Sequence, residues 1–174
     1  MSDVATAIMD AAEQRMRVGG FNGFSFREIA ADVGIKSSSV HYHFPTKERL
    51  AAAVVQRYTT AALAQVAGSA EEYPDPVKRW TRTFRSTLTD RSMCPCIVLG
   101  AAALDLPPEV SVEVRHFYKS CLDAMMRDGL SEDAASEILA TITGAMVVAN
   151  ALHDVNAYDR ATGDHGRERA ALAA

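Results

Sequence analysis

The stretch from residue 26 to residue 44 constrains the fold of this chain more than any other. It has the sequence FREIAADVGIKSSSVHYHF. Ser25 and Glu28 form an S-x-x-E capping box, which predicts the start of a helix. Gly34 predicts the end of that helix, because glycine accepts a positive φ. A second short helix follows. Two short helices joined by a glycine-containing turn are typical of the helix-turn-helix, whose second helix lies in the major groove of DNA.

The second helix of this pair is predicted to present a polar surface. Ser37 or Ser38 is expected to cap it, and Val40 and Phe44 are expected to point inward because they lie four residues apart. The remaining side chains are short, polar or aromatic, which suits contacts to bases and phosphates. The DNA-binding residues predicted on this helix are Lys36, Ser37, Ser38, Ser39, His41 and Tyr42.

The run from Ile8 to Leu50 resembles the DNA-binding domain of the TetR/AcrR family of bacterial transcriptional repressors. The resemblance rests on DAAE in the first helix, GFNGFSFREIA across the turn and HFPTKERL leading into the fourth helix. It implies that Lys47, which matches the family lysine, contacts a phosphate. At Lys36, Ser38 and His41 the chain differs from the residues usual in the family, so the family's base preference cannot be carried over.

The remaining sequence predicts helices only. The predicted class is all-α, with a three-helix helix-turn-helix unit joined by a long fourth helix to a helical bundle. We predict a DNA-binding domain over residues 1–48 and a ligand-binding and dimerisation domain over residues 49–174. Arg79, Arg82 and Arg85 are expected to be exposed. The helices predicted outside the helix-turn-helix run over about 3–18, 47–67, from 76, 95–106, 108–127 and 131–154, and the tail from Asn156 allows one more.

The eighth helix predicts a homodimer. Residues 138–152 are fifteen uncharged residues in a row, shorter than the roughly 18 needed to span a bilayer, so no membrane partner is expected. A helix that is apolar all round must be buried all round, and a second copy of the same helix is the simplest cover. The family resemblance implies the same two-fold dimer. The interface residues predicted here are Ile138, Ile142, Ala145, Met146 and Ala149.

Aromatic and sulfur-containing residues in the second domain predict an effector pocket. Such a pocket would be mostly apolar, with the Tyr118 hydroxyl and His116 as polar anchors, and would suit a small apolar or weakly acidic molecule. The alternative is that these residues only fill the core. The effector-binding residues predicted are Trp80, Phe84, Met93, Cys94, Cys96, Phe117, Tyr118 and Cys121.

The cysteines allow two interpretations. Cys94 and Cys96 flank a proline before a predicted helix, where they either pack as small buried residues or supply a thiolate that reacts with an oxidant or electrophile. Three cysteines do not form a secreted disulfide framework, and one C-x-C without a second pair does not indicate a metal site. With no signal peptide visible, a cytoplasmic location is expected.

Charge and motifs favour a regulator over an enzyme. The net charge is −4 and residues 1–50 are neutral, so DNA binding would rely on a local patch around Lys36, Lys47 and Arg49. Phosphate-binding loops, the G-x-S-x-G elbow and H-E-x-x-H are missing, so we expect no catalysis and no cofactor. The rival hypothesis, a small helical enzyme or carrier using the bundle cavity, leaves the pattern at residues 26–44 unexplained.

Overall fold

A computed structural model describes residues 3–88 and 92–163 of the chain. These residues form helices and no β-strand, which confirms the predicted all-α class. The α-helices are α1 (Asp3–Gly19), α2 (Phe26–Val33), α3 (Ser37–His43), α4 (Lys47–Gly68), α5 (Pro76–Ser86), α6 (Pro95–Ala101), α7 (Pro108–Arg127), α8 (Glu132–Leu152) and α9 (Val155–Thr162). Short 3₁₀ turns cover Phe21–Gly23 and Ala103–Asp105.

Two predictions of helix ends are wrong. The backbone of Lys36 is extended, so this residue is the N-cap of α3, and neither Ser37 nor Ser38 caps the helix. The sixth helix stops at Ala101, and a 3₁₀ turn replaces the α-helix that was predicted to reach Leu106.

One compact unit comprises residues 3–62 and 94–120. Its core combines apolar side chains from α1, α2, α3, α4, α6 and α7. Arg57 on α4 reaches two carboxylates of α1, with its guanidinium 2.7 Å from Asp10 and 2.9 Å from Glu13. The most buried large side chains of this unit are Ile8, Met16, Ile29, Leu50, Ile97, Leu99 and Phe117.

The other compact unit comprises residues 63–88, 92–93 and 121–163. Its core is formed by α5, α8, α9 and the last turns of α7. Two polar contacts join α9 to α5. The Tyr158 hydroxyl donates to the carbonyl of Thr81 at 2.8 Å, and Arg85 pairs with Asp159. Its most buried large side chains are Trp80, Met125, Ile142, Met146 and Tyr158. These units are defined by packing alone, and the domain boundary after residue 48 stays a prediction.

Arg79 is a buried cation that was predicted to be exposed. Only 6% of its surface is accessible, because its guanidinium pairs with Asp128 at 2.8 Å and donates to the carbonyl of Tyr73 at 3.2 Å. The indole of Trp80 donates to the same Asp128 carboxylate at 3.0 Å. A buried charge that is paired in this way joins α5 to the end of α7.

Candidate nucleic-acid interface

The helix that supports the interface, α2, is fixed at both ends by its own sequence. The Ser25 hydroxyl accepts from the backbone N–H of Glu28 at 3.3 Å and donates to the Glu28 carboxylate at 2.7 Å. This hydrogen bond lowers the pKa of Glu28. At the other end, Gly34 adopts φ 74°, a left-handed conformation that glycine reaches without strain. Both predicted end signals of α2 are therefore present.

An ion-pair cluster holds α2 against α1. The Arg15 guanidinium donates to Asp32 at 3.0 Å and to Glu28 at 3.1 Å. Its hydrogen bond to Asp32 lowers the pKa of that carboxyl group. The cluster neutralises two of the acidic residues near the helix pair, which reduces repulsion of a phosphate backbone.

The third helix presents the polar surface that the sequence predicted. Val40 is completely buried, whereas Tyr42 on the opposite face is 84% exposed. The side chains of Ser37 and Ser39 are half-buried. The exposed residues of the predicted set are Lys36, Ser38, His41 and Tyr42.

The imidazole of His41 is oriented by a contact that the sequence analysis missed. It meets the ring of Phe26 edge-on, with 4.6 Å between ring centroids. The sequence signal for this contact is an aromatic residue, Phe26, at the first position of α2. Arg27, the next residue, is exposed and was not predicted as a DNA-binding residue. The start of α2 therefore lies beside the middle of α3 and carries the exposed cation Arg27.

Lys47 is held in place by aromatic rings. Its ammonium lies 4.5 Å from the ring centroid of Phe21 and 4.8 Å from that of Phe24. Partial burial lowers the pKa of this lysine, while the nearby Glu48 and Glu28 oppose the shift. Such cation–π contacts restrict a flexible side chain and position its charge at the start of α4. Arg49, the third member of the predicted patch, lies 3.8 Å from Glu109.

The predicted effector residues fall into both packing units. In the first unit the rings of Phe117 and Tyr118 meet at 5.3 Å, and in the second the rings of Trp80 and Phe84 stack at 6.1 Å. All eight are buried except Tyr118, which is half-buried. The first unit holds Cys94, Cys96, Phe117 and Tyr118, and the second holds Trp80, Phe84, Met93 and Cys121. Their role in a pocket stays a prediction.

Most of the predicted interface residues on α8 are covered by their own chain. Ile142, Ala145, Met146 and Ala149 are buried and Ile138 is half-buried, so this side of the helix is core. The exposed side carries a different set of small and apolar residues, namely Ala140, Gly144, Val147, Val148 and Ala151. By length and composition alone α8 is long and apolar enough to cross a membrane, and 33% of its apolar window is buried inside the protein.

Comparisons with known proteins agree on one family. Residues 8–54 match the family model described as bacterial regulatory proteins, tetR family. The chain is 25% identical over 157 residues to the HTH-type transcriptional regulator LmrA of Bacillus subtilis (strain 168), an alignment that covers 83% of this chain and 82% of that protein. The chain is similar to TetR-family regulators over most of its length and carries the DNA-binding domain of that family at residues 8–54. It is accordingly a DNA-binding transcriptional regulator, and regulators of the TetR family are generally not enzymes.

Solved structures of TetR-family proteins share the fold. A TetR-family transcriptional regulator from Agrobacterium tumefaciens superimposes with a TM-score of 0.82 at 29% identity, covering 91% of this chain and 93% of that one. A TetR transcriptional regulator from Legionella pneumophila gives a TM-score of 0.83 at 21% identity, covering 94% and 95%. The likeness extends over both units of the chain, beyond the part that the family model matches.

Proposed function

We propose that this regulator is a ligand-responsive repressor that binds a palindromic operator as a homodimer. A small apolar or weakly acidic effector shifts the dimer toward a spacing of recognition helices that no longer fits DNA. The observation that carries the proposal is the exposed polar face of α3 beside the ring-held Lys47. Such proteins normally act in the cytoplasm, which we propose for this chain as well.

DNA recognition is divided between two kinds of contact in this proposal. Lys47 and Arg27 bind phosphates, which positions the protein without reading sequence. His41 is exposed on α3 with its ring against that of Phe26, and it offers ring nitrogens to base edges in the major groove. The neighbouring Tyr42 is exposed enough to reach the backbone on the same face.

The homodimer is supported by the exposed side of α8. Gly144, Val147, Val148 and Ala151 follow helical spacing and leave a stripe of small and apolar residues open to solvent. Exposed apolar patches on a single chain mark interaction sites, and two copies of a helix with small residues approach closely. The proposed interface therefore uses the face of α8 opposite the residues predicted from sequence.

An operator-binding measurement tests the proposal. Fluorescence anisotropy with the promoter DNA beside the protein's own gene should give saturable binding that a shuffled duplex of equal length does not. A promoter duplex that keeps only one half of the palindrome should bind much more weakly, because a dimer needs two half-sites about one helical turn apart. Equal affinity for the promoter and shuffled duplexes would refute the proposal.

A reactive thiol is the second candidate trigger, and the surroundings of Cys94 favour it. Burial by itself raises the pKa of a thiol, and Cys94 is fully buried. Hydrogen bonds from the Cys96 thiol, the Tyr58 hydroxyl and the Ile97 backbone outweigh burial, so that the pKa of Cys94 is lowered. Burial raises the pKa of Tyr58, and the negative charge of the Cys94 thiolate raises it further.

Alkylation of operator complexes separates the two triggers. Under the thiol hypothesis, the Cys94 thiolate attacks the C=C bond of N-ethylmaleimide. A C–S bond forms, and the resulting enolate takes up a proton. The wild-type protein should then leave DNA, and the Cys94→Ser, Cys96→Ser, Cys121→Ala triple variant should stay bound. Release of the triple variant at the wild-type rate would exclude covalent sensing.

A further inference from the structure

A cleft of about 1020 Å³ opens on the second unit, between α5, α9 and the loop before α5. Its volume is of the size that small-molecule sites occupy. Its lining includes Tyr73, Lys78, Arg82, Arg85, Tyr158 and Asp159. None of the effector residues predicted from sequence lines this cleft, so it is a separate candidate site.

A row of cations runs along the wall formed by α5. Lys78, Arg82 and Arg85 occupy positions i, i+4 and i+7, which places them on one face of the helix. Arg85 is already satisfied, since its guanidinium donates to both carboxylate oxygens of Asp159 at 2.7 and 3.1 Å. Within residues 3–88 and 92–163, Lys78 and Arg82 have no carboxylate within ion-pair distance.

Two of the three carboxylates that line the cleft, those of Asp75 and Asp159, have partners in this unit. Asp75 caps α5 by accepting from the backbone N–H of Val77 at 2.9 Å and of Lys78 at 3.4 Å. The carboxylate of Glu72, next to Tyr73 in the chain, raises the pKa of that tyrosine. Since Asp159 is paired with Arg85, Lys78 and Arg82 are the two cations of the cleft that have no ion pair within the described residues.

Arg82 lies centrally in this cleft. Its charge opposes the rise in the pKa of Tyr73, and it adds to the lowering of the pKa of Asp159 that Arg85 mainly causes. The rings of Tyr73, Pro74 and the buried Tyr158 supply the apolar part of the lining. The Tyr158 hydroxyl is already bound to a backbone carbonyl, so its ring and not its oxygen is available.

We propose that this cleft binds a small organic anion with a flat apolar body. The carboxylate or phosphate group sits between Lys78 and Arg82, and the body lies against Tyr73 and Pro74. The binding of an anion in this cleft does not depend on the proposed function. Only its use as the effector site of a weakly acidic inducer rests on that function.

Calorimetry on the full chain without DNA tests the site directly. The probes are 2-naphthoate, 2-naphthyl phosphate and the neutral isostere 2-naphthamide. Either anion should bind at least tenfold more tightly than the amide, and the tighter of the two identifies the preferred head group. Binding should weaken with added salt, because exposed charges are screened.

Variants of the two cations complete the test. Lys78→Gln with Arg82→Gln should weaken anion binding at least tenfold, whereas Lys78→Arg with Arg82→Lys should retain it. The matched control, Arg115→Gln with Lys119→Gln, removes two exposed cations that do not line the cleft and should bind as the wild type does. Circular dichroism should show an unchanged fold for all three, since these side chains are exposed.

Three results would overturn the anion site: equal binding of the amide, wild-type affinity in the Gln double variant, or no heat from either anion at millimolar concentration. None of these measurements involves DNA. A protein that binds 2-naphthoate through Lys78 and Arg82 but shows no promoter preference would retain the anion site and lose the repressor proposal.

Discussion

At the scale of single residues, the side chains that matter most are those whose freedom the fold removes. Lys47 would be an ordinary mobile surface lysine without Phe21 and Phe24, whose rings hold its ammonium within 5 Å. Restricting the side chain before DNA arrives lowers the entropy lost on binding. A phosphate contact from a positioned lysine therefore contributes more than one from a freely rotating lysine.

Lys47→Ala should weaken binding to all DNA sequences. Removing one phosphate-binding cation lowers the slope of log K against log salt by about 0.9, so a dimer without both lysines should have a slope lower by about two. Anisotropy titrations over a range of salt concentrations measure this slope. His41→Ala should instead change the ranking of operator variants with little change in slope. Lys119→Ala removes an exposed cation from α7 and serves as the control. An unchanged slope in Lys47→Ala would mean that this lysine does not contact DNA.

Sequence reasoning at this scale succeeded for outward residues of short helices and failed for buried charges. The exposure of Tyr42 followed from the apolar residues two positions before and after it. The burial of Arg79 did not follow from spacing, because its partner Asp128 lies 49 positions away in the chain. A long-range ion pair leaves no periodic signal in a sequence.

At the scale of elements, α2 shows how far local sequence determines structure. The capping box at Ser25, the apolar positions and the left-handed Gly34 are all local features, and all are present in the structure. In α8 the local features were ambiguous, because apolar residues surround the helix. Periodicity could not decide which side faces its own chain, and the interface residues predicted from sequence occupy the buried side.

Ser25→Ala should destabilise the helix-turn-helix unit by about 1 kcal/mol. The substitution removes the hydroxyl that accepts from the Glu28 backbone and supports its carboxylate. Chemical denaturation followed by circular dichroism measures the change. Ser25→Asp should recover most of the stability, because aspartate caps helices as well as serine. Equal destabilisation by both substitutions would show that the cap does not stabilise α2.

At the scale of the whole molecule, surface carboxylates make stability depend on pH. The pKa of each of three carboxyl groups is lowered by a hydrogen bond. Ser25 donates to Glu28, Arg15 donates to Asp32, and Arg85 donates to Asp159. A group whose pKa is depressed in the folded state binds its proton more readily when unfolded, so it stabilises the fold above its unfolded pKa. That stabilisation is lost as the pH falls through the folded pKa.

The melting temperature should therefore decrease as the pH is lowered below about 4.5, near the ordinary pKa of glutamate, and stay flat above it. Differential scanning fluorimetry at constant ionic strength measures the profile. Arg15→Gln should flatten the profile, since the ion pairs of Arg15 contribute to the low pKa of Asp32 and Glu28. Lys119→Gln, at an exposed site, is the control. A steeper acid transition in Arg15→Gln would contradict this assignment.

Assembly belongs to the same scale, because the proposed operator contact needs two chains. Gly144 is exposed on α8, and a Cβ added there would meet nothing within 4 Å in its own chain. Gly144→Arg should therefore leave the single chain folded. In a dimer the new guanidinium would be buried in the interface without a partner, which costs several kcal/mol.

Gly144→Arg should raise the dimer dissociation constant by about 100-fold or more, since each 1.4 kcal/mol is tenfold. Sedimentation velocity measures assembly, and anisotropy on the promoter duplex measures operator binding, which should fall together with it. Gly68→Arg is the matched control, because Gly68 is also an exposed helical glycine with open space at its Cβ position. It should keep both properties. A Gly144→Arg protein that sediments as a folded monomer yet binds the palindrome with wild-type affinity would separate operator recognition from the proposed α8 interface.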